Sequence, residues 1–359
     1  MQNRKFFIGI AISIALLILF LTTSDLMRML KSLGTANYLY VGPAVIVYLL
    51  SLLFRTIRWQ LMMEHIRPIS ITSLYPVVII GYMANNLLPF RIGEIVRTYY
   101  LNQREGVSQT SALASILVER VLDAMTLLLF VGIVAQFAPL ETLTNGLSEW
   151  VGVPPLLLIV CFSVPFILSM ALLMLIASQP TTAKHTIPLL AGLVSNRLAQ
   201  KVSNLVELFI IGLTPLSHPG TLTKLLVLSM PIWLLESILF LFIAYSFDIN
   251  TVYKTFNDML MAMIVVTSVS NIGSSIPAAP GGIGLFEIVT RETLVLLPFG
   301  DIQRPIAAAF ATVTHATLLI PVIVIGQVLL WKQHVSLKMI SLNSLKFFQQ
   351  SSDSNGGTK

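Results

Sequence analysis

The sequence predicts an all-α polytopic membrane protein with about seven to eight hydrophobic segments. Two of these are broken or re-entrant elements belonging to an inverted-topology repeat. Three observations predict this. Charged residues make up only 11% of the 359 and apolar ones 55%, whereas a soluble domain carries about 25% charged; the mean hydropathy of +0.85 agrees. Apolar runs of the length that crosses hydrocarbon recur along the chain. Finally, two Pro/Gly-rich interruptions, each followed by a Glu and an Arg, stand at comparable places in its two halves. The composition excludes a soluble enzyme, a disordered chain and a collagen-like one.

The apolar runs are 6–23, 38–54, 72–88, 121–138, 154–177, 225–247, 259–276 and 306–331. The first follows Arg4 and Lys5 like a signal peptide but has no small-x-small cleavage site, and further spans follow it, so it reads as an uncleaved anchor. Residues 203–213 are too short to cross and are expected at the interface. The longest internal hydrophilic block, 178–203, would not bury a useful core. The chain therefore reads as a single transmembrane domain over 1–340. A Ser/Asn/Gln/Gly-rich tail, 341–359, is predicted to be disordered and cytoplasmic.

Orientation follows from the cations. With the N-terminus inside, 17 of the 22 Lys and Arg fall in inside segments (1–5, 55–71, 91–120, 178–224 and 332–359) and five fall outside. Both termini are then cytoplasmic, in the cell (inner) membrane. The same count requires 72–88 to enter from the cytoplasm and return, and 259–276 to do so from the opposite face. Each excursion is flanked by two spans, giving candidate half-repeats 38–138 and 225–331.

The first interruption runs Asn85-Asn86-Leu87-Leu88-Pro89-Phe90-Arg91-Ile92-Gly93-Glu94, with Arg97 following. The second runs Pro277-Ala278-Ala279-Pro280-Gly281-Gly282-Ile283-Gly284, with Glu287 and Arg291 following. Proline removes a backbone donor and glycine permits positive φ, so Pro89, Gly93, Pro277 and Pro280 are read as helix breaks. Freed backbone groups survive at membrane depth only inside protein or beside a wet cavity. One such run would be an ordinary kink or turn. Two predict hairpins meeting near the midplane, their N–H groups and arginines forming an anion site.

Few other charges interrupt the spans. Glu236 lies near the middle of 225–247, where a charge costs at least ~2.5–3.5 kcal/mol, and it reads as a cavity group or as a hydrogen-bonded structural one. Glu119 and Asp123 share a helix face and Arg120 points away from it. They read either as an interfacial cluster or as Arg120 turning inward to bind phosphate. His315 stands at the place comparable with Arg120 and suits either packing or proton relay. Arg55, Arg58 and Arg67 with Trp59 read as an interfacial anchor. Five scattered histidines and one cysteine, Cys161, give no metal-ligand spacing. No metal, cofactor or nucleic acid is expected.

Asn86-x-x-Pro89-x-Arg91-x-Gly93-Glu94-x-x-Arg97, Glu119-Arg120-x-x-Asp123 and Pro277-x-x-Pro280-Gly281-Gly282-x-Gly284-x-x-Glu287 together resemble the lysylphosphatidylglycerol synthase transmembrane-region family. The resemblance covers roughly 6–331. It implies a flippase-like protein that moves an anionic phospholipid or a polyprenyl-linked head group between leaflets. On that reading Arg91, Arg97 and Arg120, with Gly281, Gly282 and Gly284, would bind the head group. Glu94, Glu119, Asp123, Glu236, Glu287 and His315 would pair the arginines or exchange protons. The family often has an Arg near His315, so the head-group preference can differ here. No catalytic motif or soluble transferase domain is found. The alternatives are a membrane-embedded lipid or polyprenyl transferase, or a non-transporting subunit that recruits a lipid-modifying enzyme; a homo-oligomer is a further expected partner.

Overall fold

A computed structural model of the protein describes residues 2–193, 195–275 and 280–333, with 336, 337, 339 and 341. The predicted break at Pro277 and the predicted tail beyond 341 lie outside the described residues. All regular structure among the described residues is helical.

The N-terminal apolar run forms α1 (Gln2–Thr22), which turns by 87° into the short amphipathic α2 (Leu26–Thr35). Asp25 caps α2 by accepting from the Arg28 N–H. α3 (Val41–Met63) follows. The first hairpin is α4 (Ile71–Leu87), capped by Ser70, and α5 (Ile92–Glu105). α6 (Gln109–Val134) completes the first half. Then come α7 (Glu141–Val151), α8 (Pro155–Ser178), α9 (Pro180–Gly192) and α10 (Asn196–Leu213). The second half is α11 (Pro219–Ser246), the hairpin α12 (Phe256–Gly273) and α13 (Leu285–Leu296), and α14 (Arg304–Lys332). Thr255 and Asp258 start α12 with a reciprocal capping box, which satisfies two N–H groups that no helical carbonyl can reach.

Among the described residues, five helices are long and apolar enough to cross a membrane, six if the bent α1–α2 pair counts as one span. The apolar stretch Leu205–Ser217 is shorter than a span. α9 packs on α10, and α10 packs against α6, where the Ser111 hydroxyl donates to the Leu208 carbonyl at 2.8 Å. α8 presents most of its surface outward, as a helix solvated by lipid does.

Two boundaries differ from the sequence reading. The run placed at 38–54 continues as a helix to Met63, and the one placed at 121–138 begins at Gln109. A hydropathy reading stops at the first charge. Here Arg55, Arg58, Glu119, Arg120 and Asp123 neutralise one another inside the bundle, so the helices run on through them.

The packing is reciprocal. α3 lies along α11. α14 packs on α4 as α6 packs on α12, and α3 touches both α6 and α14, as α11 does. A large apolar core threads these six helices and includes Leu52, Trp59, Val78, Met83, Leu122, Leu239, Phe240, Met263 and Phe310. α1 precedes the first half. Its end docks on α13 through Arg291, which donates to the Ser24 hydroxyl at 2.6 Å and the Phe20 carbonyl at 3.2 Å.

Candidate functional site

Each hairpin breaks where it meets the other. α4 ends at Leu88, whose extended backbone (φ −110°, ψ 141°) is the conformation a following proline imposes. Phe90 and Arg91 then adopt left-handed backbone, at φ 57° and 53°. For two consecutive non-glycine residues this costs roughly 1–2 kcal/mol each, and such strain concentrates at functional sites. The result places Arg91 at the N-terminus of α5. Gly93, read from the sequence as a break, lies inside α5 instead. A Cβ there would sit 2.4 Å from the Asn85 nitrogen and the Gly81 carbonyl oxygen, so this glycine serves the closeness of α4 and α5.

In the second hairpin Pro280 begins a short turn with Gly281 at φ 60°, Gly282 at 73° and Gly284 at 89°. A Cβ on Gly281 would stand 3.1 Å from the Asn86 carbonyl oxygen, which shows how closely the two tips approach. α5 and α13, the returning helices, both begin at this level, so both point the positive ends of their dipoles toward it.

Between the tips lies a polar cavity of about 170 Å³. The first tip contributes Asn85, Asn86 and Arg91; the second contributes Gly281, Gly282 and, from α12, Asn271 and Ser274. Arg120, Glu236 and His315 reach it from α6, α11 and α14. A second cavity of about 200 Å³ shares Arg91, Arg120, Trp233, Asn271 and Ser274, and runs on to Asp123, Leu127 and Phe166. Polar and apolar walls thus adjoin.

Behind the cavity is a continuous ion-pair network. Asp123 receives Arg55 on one oxygen at 3.2 Å and Arg58 on the other at 2.8 Å, and accepts the Trp233 indole N–H at 3.2 Å. Arg55 also meets Glu236 at 2.5 Å. Glu119 is fully buried between Arg97 (3.1 Å), Arg120 (3.4 Å) and Arg58 (3.7 Å). Glu94 lies 3.6 Å from Arg120 and 3.9 Å from Arg91. Arg97 stacks on the Trp59 ring at 3.7 Å, Arg55 on Trp233 at 4.5 Å, and Arg120 donates to the Tyr82 hydroxyl at 3.1 Å. Isolated, such charges would cost several kcal/mol each in a low-dielectric interior; mutual pairing lets them persist. Five guanidinium groups face four carboxylates. With all ionised, the network keeps one positive charge unmatched.

The sequence-derived residues therefore divide. Arg91, Arg120, Glu236, Gly281, Gly282 and His315 line the first cavity, and Asp123 the second. Arg97, Glu94 and Glu119 stand behind the walls; the Arg97 side chain is only 3% exposed, against 35% for Arg91. Gly284 is packed against α1, where a Cβ would meet that of Leu16 at 2.6 Å. Glu287 caps α13 by accepting the Gly284 N–H at 2.7 Å and bonds His315.

The interfacial-anchor reading of Arg55, Arg58 and Trp59 is corrected: all three are buried in the network or against it. Arg67 alone is peripheral, donating to the Glu105 carbonyl at the end of α5. The sequence reading also missed Asn271 and Ser274. The available signal was spacing, because Arg55/Arg58, Trp233/Glu236 and Asn271/Ser274 are all three apart and so share a helix face. Among the described residues no group of His, Cys, Asp and Glu could hold a metal ion.

Fold and site together define an integral membrane protein whose two hairpins enclose a cationic, polar cavity. A family model described as "Lysylphosphatidylglycerol synthase TM region" matches residues 6–326, and the chain belongs to that family. It is 23% identical to a Haloferax volcanii protein named "Glycosyltransferase AglD" over 325 residues, 85% of this chain; the match spans only half of that relative's length. It is 24% identical to a "UPF0104 membrane protein" of Methanothermobacter thermautotrophicus, covering 79% of this chain and 82% of the relative. A second UPF0104 membrane protein, from Pyrococcus horikoshii, is 22% identical, with 79% and 85% covered.

Proposed function

We propose that the protein is a lipid transporter of the flippase type, moving an anionic phospholipid or a polyprenyl-linked phosphate head group between leaflets. One observation carries this reading. Arg91 and Arg120 open into a polar cavity between two broken hairpins, backed by a network with one positive charge in excess. A phosphate held there would accept from guanidinium N–H groups, whose planar fork suits it, and from the Asn85 and Asn86 amides. The acyl or prenyl chains would stay in lipid, past the apolar wall of Leu127 and Phe166. The half-repeats 38–138 and 225–331, inserted in opposite senses, would then present the site to either face by rocking about it. Both termini would lie in the cytoplasm of a cell whose inner membrane holds the protein.

A dithionite-quench assay in proteoliposomes tests this with fluorescent phosphatidylglycerol and a fluorescent polyprenyl phosphate. Wild type should move at least one of them faster than empty vesicles, and Arg91→Ala should not. Equal rates in all three preparations would contradict the reading.

One finding favours a second reading. A relative named as a glycosyltransferase contains the counterpart of this chain in about half of its length, so the chain would serve as the membrane part of a lipid-modifying enzyme system. Stable co-purification with such an enzyme, without transport in proteoliposomes, would favour it.

A further inference from the structure

In sequence, His315 and Glu287 stand 195 and 193 residues beyond Arg120 and Glu94, at comparable places in the two halves. In the first pair the guanidinium is permanently charged and stands 3.6 Å from its carboxylate. In the second, the imidazole Nδ1 lies 2.7 Å from Glu287 Oε1 and its Nε2 lies 2.9 Å from the Gly281 carbonyl oxygen. A carbonyl oxygen only accepts, so Nε2 carries a hydrogen. Nδ1 then faces a carboxylate at a distance that requires a proton between the two atoms. Without it, two acceptors would confront each other in a buried place. The ring cannot readily turn away. Phe286 stacks on it with centroids 4.3 Å apart, and Glu287 is held by the Gly284 N–H.

The pair adjoins the cavity. His315 lines it together with the charged and titratable groups Tyr48 and Arg55 of α3, Tyr82 of α4, Arg91, Arg120 of α6 and Glu236 of α11. α12 brings only Asn271 and Ser274, and the charged residues of α2, Asp25, Arg28 and Lys31, are exposed and do not line it. Among the described residues His315 is thus the one histidine on the wall. Its other bond ends on Gly281, at the hairpin tip beside Asn86.

We propose that His315 and Glu287 form a proton site coupled to anion binding in the cavity, so that head group and proton travel together. This rests on the anionic-ligand reading above. The proton is taken from solvent and shared by Nδ1 and Oε1; no covalent bond to the lipid forms or breaks. Adding it raises the cavity's charge by one, and by linkage the anion raises the proton affinity by the same factor. The sign is fixed by charge: an added proton favours the anion, so binding is stronger at acid than at alkaline pH.

The test is calorimetry on the full chain in phosphatidylcholine nanodiscs, with two phosphodiester probes whose single charge does not titrate: dihexanoyl phosphatidylglycerol and farnesyl methyl phosphate. Wild type should bind at least one of them roughly tenfold more weakly at about pH 8.5 than at about pH 5.5. Comparison of two buffers of different ionisation enthalpy should show proton uptake on binding. His315→Arg, which restores the first half's arrangement, should bind with no pH dependence; His315→Gln should bind weakly throughout. Neither should take up the proton. An unchanged pH profile in both variants, or binding by wild type without proton uptake, would overturn the coupling alone. Failure of wild type to bind either probe at any pH would overturn the anion-site reading and the coupling with it. The uptake measurement needs no variant, so a substitution that misfolds leaves the test intact.

Discussion

The Arg55 guanidinium of α3 meets the Glu236 carboxylate of α11 at 2.5 Å, tying the helices that pack along one another between the two halves. Neither residue is free to leave, because Arg55 also holds Asp123 and stacks on Trp233. Arg55→Met should strand the buried Glu236 and remove one of the arginines paired with Asp123, at a cost of about 3–5 kcal/mol. Glu236→Gln keeps an acceptor and should cost only about 1–2 kcal/mol. Thermal unfolding in detergent, followed by tryptophan fluorescence, should rank them in that order.

Arg91 and Arg97 should separate transport from stability. Arg97 is enclosed by Glu119 and Trp59, so Arg97→Ala should lower the melting temperature sharply by leaving Glu119 short of a partner. Arg91 stands on the cavity wall with one long contact to Glu94. Arg91→Ala should melt close to wild type yet lose tenfold or more in transport rate. Paired melting and proteoliposome measurements check both.

Gly93 and Gly282 make a second contrast. A methyl group at Gly93 would collide with the Asn85 nitrogen and the Gly81 carbonyl oxygen, so Gly93→Ala should cost at least about 1–3 kcal/mol by forcing α4 and α5 apart. At Gly282 the nearest atom is the Ser274 Cβ at 3.7 Å, so only the positive φ resists a side chain. Gly282→Ala should cost roughly 1–2 kcal/mol. Melting curves of the two variants decide it.

Orientation is testable at the chain ends. A green fluorescent protein fused after residue 359 should fluoresce in a bacterial host, since it matures in the cytoplasm. An alkaline phosphatase fusion there should be inactive. The reverse pattern would invert the proposed topology.

Much of this architecture was legible because membrane insertion makes polar residues scarce and therefore informative. The helical class and the paired interruptions were readable from a few charges, prolines and glycines, whereas the inward turn of Arg120 was one of two readings left open. What failed was the assumption that a cation ends a span. Arg55 and Arg58 follow the apolar run at 38–54 and so resemble an interfacial anchor; their partners Glu119, Asp123 and Glu236 lie 61 to 181 residues away. No local pattern could reveal that neutralisation. The same assumption entered the orientation count, which placed Arg55, Arg58, Arg97 and Arg120 in loops. Gly93 misled differently. A glycine four residues after a proline reads as part of the same break, but here it admits a neighbouring backbone, a contact that only tertiary packing defines.

Native mass spectrometry of the purified protein tests the central claim most directly, because it asks whether the cavity between the hairpin tips holds an anionic phosphate head group. Wild type should retain a phosphate-bearing anionic lipid in preference to added phosphatidylcholine, and Arg91→Ala combined with Arg120→Met should release it while remaining folded. Equal retention by the folded variant, or no preference for anionic lipid in wild type, would contradict the account.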